Sequence, residues 1–163
     1  MQDIITRLRA KKDDDGFTLI ELLVVVVIIG VLVAIAVPVY LNYRQGAADK
    51  SAQSDVRGAI SAVEQWYTDN NNTYPAGPTA KQSTTYNLST TTAAGAAGAA
   101  GKVTLSDKTE MVYIPPSGTV TSYKLCATNT GGSGKYYIYD SASGGSVKSA
   151  TTITATNFTT CGP

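Results

Sequence analysis

Histidine is absent from the 163-residue sequence, and cysteine occurs only twice, at Cys126 and Cys161. The first absence removes the commonest general base, the commonest nitrogen ligand for metals and every Ser–His or Cys–His nucleophilic arrangement. The second excludes thiolate metal sites of the zinc-finger kind. Charge is sparse and balanced: 13 Lys+Arg stand against 12 Asp+Glu, a net +1, which gives no electrostatic case for binding nucleic acid or an acidic partner. Catalysis would fall on a few carboxylates, such as Asp107, Glu110 and Asp140, and nothing else recommends them. A non-enzyme without cofactor or metal is expected. The length suits one modest domain plus an appended segment.

Charge is missing most conspicuously near the N-terminus. Residues 1–16 are polar, with Arg7, Arg9, Lys11 and Lys12 followed by Asp13, Asp14 and Asp15. From Phe17 to Leu41 the only charge is Glu21, and Leu22 to Leu41 is a run of 20 residues without any. At ~1.5 Å per residue such a run crosses a hydrocarbon core of ~30 Å as a helix. The four preceding basic residues predict a cytoplasmic N-terminus and a C-terminal part outside the cytoplasm. Arg44 and Lys50 weaken that asymmetry without reversing it.

Beyond Leu41 the spacing predicts that the helix continues. Val56, Ala59, Ile60, Val63, Trp66 and Tyr67 recur at helical intervals, and Asp69 to Pro75 supplies stop signals. A helix over 17–69 would be about 80 Å long. Its first half is apolar all round. Its second half (42–70) has one apolar stripe, which must pack on the rest of the chain.

The remainder (71–163) is rich in Thr, Ser, Gly, Ala and Tyr. Thr90–Gly101 is low-complexity and reads as a surface loop within a variable stretch 76–110. Met111–Ile114, Ser122–Ala127 and Lys135–Asp140, with a weaker segment in Ser146–Thr154, read as strands of an antiparallel sheet within 111–155. Alternation puts Tyr123, Leu125, Tyr136 and Ile138 toward the helix. The expected class is α+β: a long N-terminal helix packed on a small sheet. Two cysteines outside the cytoplasm make a disulfide the default reading, with two free thiols as its alternative. A Cys126–Cys161 bond would bound the C-terminal region 126–161 and close a loop of about 36 residues, a constraint of roughly 4 kcal/mol in the chain-entropy model.

The junction Gly16-Phe17-Thr18-Leu19-Ile20-Glu21-Leu22, with the apolar run behind it, resembles the prepilin signature of type IV pilins and type II secretion pseudopilins. The resemblance extends from residue 7 to about 74, taking in Tyr67, Asp69 and Tyr74-Pro75. It implies that residues 1–16 are a leader, removed by a membrane peptidase between Gly16 and Phe17, and that Phe17 is then N-methylated. It further implies that Glu21 sets subunit register by meeting a neighbour's Phe17 amine, and that the helix kinks or unwinds between Gly30 and Pro38. Glycine at the cut suits an extended scissile segment, since it resists the following helix. Disulfides pinning the C-terminal region are common in type IV pilins, which favours pilus over secretion apparatus.

The resemblance thus implies a homo-oligomeric helical filament of pilin-like subunits. Its partners would be the peptidase/methyltransferase, an assembly platform with its ATPase and, for the precursor, the cytoplasmic membrane. The finished filament would lie at the cell surface. Alternatives are a pseudopilin, a monomeric membrane-anchored binding domain and, on the three carboxylates alone, a secreted hydrolase. An ordinary signal peptide ending at Ala34-Ile35-Ala36 conflicts with Asp13–Asp15, with Glu21 and with the length of the apolar stretch. Ala96–Val103 fails as a phosphate loop because Val103 stands where a hydroxyl is needed.

Overall fold

The computed structural model describes residues 17–95, 101–119 and 121–162. The expected leader, including Gly16, and residues 96–100 of the low-complexity run lie outside the described residues. Helix α1 (Leu19–Asp69) has 51 residues and runs through Gly30 and Pro38 without interruption. Two compact units divide the chain, Met1–Leu41 and Asn42–Pro163.

In the first unit every large apolar side chain from Phe17 to Leu41 is exposed. Val and Ile crowd this segment although β-branching lowers helix propensity. A helical segment apolar on every face is suited to a non-aqueous surrounding. By length and composition α1 can cross a membrane.

In the second unit α1 buries Asp49, Ala52, Val56, Ala59, Val63 and Trp66. These alternate three and four residues apart, a stripe along one helix face. The helix ends where the asparagines begin. Asn71 and Asn72 adopt left-handed φ values of 57° and 58°, and the Asn72 amide donates to the Tyr67 carbonyl at 3.0 Å. Asn tolerates this conformation better than other non-Gly residues.

The stripe packs on a four-stranded antiparallel meander in the order β3 (Thr109–Ile114), β4 (Lys124–Asn129), β5 (Tyr136–Asp140), β6 (Lys148–Ala150). Within the stretch read as a variable loop lies a short antiparallel pair, β1 (Tyr86–Asn87) with β2 (Lys102–Val103). Met111 pairs with Ala127, Ala127 with Tyr137, Tyr113 with Leu125 and Leu125 with Tyr139. These residues and Tyr123 form one core with the helix stripe.

The expectation for Tyr136 and Ile138 needs correction. Cys126 pairs with Ile138 and Thr128 with Tyr136, so both lie on the opposite face of the sheet. There Val112, Cys126, Ile153, Phe158 and Cys161 make a second core, against which Tyr136 and Ile138 pack. Both phases of Tyr136-Tyr137-Ile138-Tyr139 are bulky, so alternation alone could not choose between the faces. The second face is roofed by the C-terminal segment, which Cys126 and Cys161 hold through a disulfide.

Carboxylates on α1 bind three separate loops. Asp49, only 4% exposed, accepts from the Ser133 amide at 3.0 Å and from the Ser133 hydroxyl, with Lys135 Nζ at 3.7 Å. A Cβ at residue 132 would collide with this carboxylate, which explains Gly132. Asp55 accepts from the Ser106 amide and hydroxyl at 2.8 and 2.9 Å. Glu64 accepts from the Tyr123 hydroxyl at 2.7 Å. Burial pushes the Tyr86, Tyr113 and Tyr123 phenols well above their ordinary value, and for Tyr123 the bond to Glu64 adds to the shift.

Candidate assembly and processing site

Thr18 and Glu21 close the start of α1 on themselves. The Thr18 amide donates to Glu21 Oε2 at 2.9 Å, the Thr18 hydroxyl donates to the same oxygen at 2.6 Å, and the Glu21 amide donates to Thr18 Oγ1 at 3.3 Å. This is a capping box, satisfying helix-terminal donors that have no carbonyl of their own. In an apolar surrounding unmet donors are expensive, so the cap matters more there than in water. The carboxylate also suits the positive end of the helix dipole. Thr18 had no assigned role in the sequence reading, although Thr-x-x-Glu before an apolar run is a legible capping signature.

Phe17, Ile20, Glu21, Val24 and Val25 line a shallow hollow of about 370 Å³. Among the described residues that line it, Glu21 alone is charged. One polar acceptor in an apolar wall can recognise a single cation brought by another apolar surface, because charge left unpaired there is costly. The structure thus brings Phe17 and Glu21 together; Gly16 is outside the described residues. Gly30 and Pro38 lie further along α1, away from this hollow, and a Cβ at Gly30 would meet open space. Cys126 and Cys161 belong to the second unit and hold the sheet's outer face, with no part in this site. Two of the three carboxylates weighed for hydrolysis are engaged separately: Glu110 pairs with Lys81 at 2.8 Å and Asp140 lies 3.8 Å from Lys124.

Comparison with known proteins points to the same segment. The family described as "Prokaryotic N-terminal methylation motif" matches residues 11–37. The chain is 37% identical over 65 residues to type II secretion system core protein G of Aeromonas hydrophila, covering 40% of this chain and 45% of that one. It is 42% identical over 59 residues to the fimbrial protein EcpC of Eikenella corrodens, covering 36% and 39%. It is 44% identical over 52 residues to the type IV major pilin protein PilE1 of Neisseria gonorrhoeae, covering 32% of each. No solved structure matches the chain significantly. Residues 11–37 thus carry a prokaryotic N-terminal methylation motif, and part of the chain is similar to type IV pilins and to a type II secretion core protein. The chain spans less than half the length of these relatives.

Proposed function

We propose that the chain is a structural subunit of a type IV pilus, not an enzyme. The observation that carries this reading is the methylation motif placed at the head of an exposed apolar helical segment, ending at Leu41, whose lone acid sits beside Phe17. The precursor is inserted in the cytoplasmic membrane with residues 1–16 inside and the sheet-bearing unit outside. A membrane peptidase cuts between Gly16 and Phe17, and the new amine is methylated but still protonatable. An assembly platform, driven by a cytoplasmic ATPase, then draws the subunit into a helical filament at the cell surface. In the filament core the Phe17 amine of one copy neutralises Glu21 of another, which fixes the register between copies. Unwinding between Gly30 and Pro38 would let the subunit lengthen, since Pro38 already lacks one helix hydrogen bond. The disulfide supports a pilus over a secretion apparatus. Adhesion, motility or DNA uptake would be tasks of the assembled fibre.

A second reading, a secretion pseudopilin, is favoured by the similarity to core protein G. Electron microscopy with an antibody raised against residues 42–163 separates the two. Labelled filaments extending from cells support the pilus. Absence of filaments, together with loss of protein export on deletion, supports the pseudopilus.

A further inference from the structure

Where α1 ends, the second unit carries an open groove of about 620 Å³, of a size ordinary for small-ligand sites. Tyr67, Asn72, Tyr74, Pro115, Ser117 and Thr121 are among the residues that form it, and none of the lining residues carries a charge. The two tyrosine rings stack 4.3 Å apart, and Tyr74 in turn packs on the core residue Tyr123 at 5.1 Å, so the aromatic wall is held from behind. Its polar side chains, unlike some of its backbone groups, are uncommitted among the described residues. Among the described residues the Asn72 side-chain carboxamide, the Ser117 and Thr121 hydroxyls and the Tyr67 and Tyr74 hydroxyls donate or accept no hydrogen bond within the chain. The polar side chains of the helix–sheet contact, by contrast, are spent on Ser106, Ser133 and Tyr123. A second hollow of about 480 Å³, with Trp66, Asp69 and Asn71 in its lining, shares Thr73, Tyr74 and Ala76 with the first, so the surface continues past one ligand unit and gains one acid there.

We propose that this groove is a binding site for a neutral saccharide, one hexose unit in the larger hollow with room for a second beyond Tyr74. Absence of any cation in the larger hollow, and the acid Asp69 in the smaller one, disfavour phosphate, sulfate and acidic peptides. An aromatic face with a negative π-surface attracts the polarised C–H face of a pyranose. Hydroxyl and amide groups that both donate and accept match the alternating donors and acceptors of sugar hydroxyls. A proline-rich peptide would also suit aromatic walls, but its backbone brings few donors, leaving the groove's acceptors unmatched.

The test uses the full chain in detergent micelles and saturation-transfer NMR on methyl glycosides of glucose, galactose, mannose, N-acetylglucosamine and N-acetylgalactosamine. At least one should bind with a Kd on the order of 1 mM, typical of a shallow site. Tyr67→Leu, which keeps apolar bulk, should weaken it about tenfold. Asn72→Gly, which suits the left-handed φ of 58°, should weaken it about threefold. Lys148→Gln, on β6 and absent from the lining, should leave it unchanged. Circular dichroism checks that each variant is folded. No transfer to any glycoside at 20-fold excess, equal binding by the folded Tyr67→Leu variant, or binding of decaproline in preference to every sugar would overturn the proposal.

Discussion

Replacing both Cys126 and Cys161 by alanine should destabilise the second unit by about 4 kcal/mol. The bond joins residues 35 positions apart, and freeing a loop of that length returns roughly this much entropy to the unfolded chain. Alanine is the cleaner choice, because Cys126 is fully buried among Val112, Ile153 and Phe158 and a serine hydroxyl there would lack a partner. Against a total stability of ~5–15 kcal/mol this is a large fraction, equivalent to about 10–20 °C in Tm for a unit of this size. The assay is thermal and urea unfolding of the detergent-solubilised full chain, followed by near-ultraviolet circular dichroism. Because the effect acts chiefly on the unfolded state, the m-value should rise as that state expands. Phe158→Ala offers the contrast. It should cost about 3 kcal/mol through lost packing in the folded state, with the m-value unchanged. A double-alanine variant melting within about 3 °C of the parent would refute the idea that the C-terminal roof is held by covalent constraint.

Glu21→Gln keeps a side chain able to complete the capping box with Thr18 but removes the charge, whereas Glu21→Ala removes both. Processing should survive in both and filament yield should fall in both; normal yield from Glu21→Gln would remove the charge-pairing role. Asp49→Ala should cost about 3 kcal/mol by stranding the Ser133 donors. Gly132→Ala should open the same loop by collision, and faster amide exchange over residues 130–135 reads both effects. Tyr86, Tyr113 and Tyr123 have folded-state pKa values above their unfolded ones, so their contribution is intact below pH 10 and is lost as pH rises beyond it. Stability should fall by about 1.4 kcal/mol per pH unit for each of them. Phenolate absorbance should therefore rise together with unfolding; full ionisation near pH 10 in a folded chain would contradict the buried cluster.

Much of this architecture is legible in the residues. The run from Leu22 to Leu41 carries one message at every position, and the stripe from Val56 to Trp66 repeats often enough to survive noise. Asp69 to Pro75 stops the helix through local chemistry alone. Strand β5 was legible as a strand but not as a facing, because its two phases are equally bulky and the roof over the second face comes from residues far along the chain. Strands β1 and β2 are two residues each and have no period to read. The partners of Asp49, Asp55 and Glu64 lie 84, 51 and 59 positions away, so no local pattern announces them. At the candidate site Glu21 stands out by its isolation. Thr18 did not, although its spacing from Glu21 was available in the sequence.

Mass spectrometry of protein sheared from cell surfaces, reading the first residue of the mature chain, bears most directly on whether the apolar helix is retained to join copies. The expected N-terminal peptide begins with N-methylated Phe17 and keeps Glu21 four residues in. A mature form beginning at Val37, without the segment that Glu21 heads, would contradict the account.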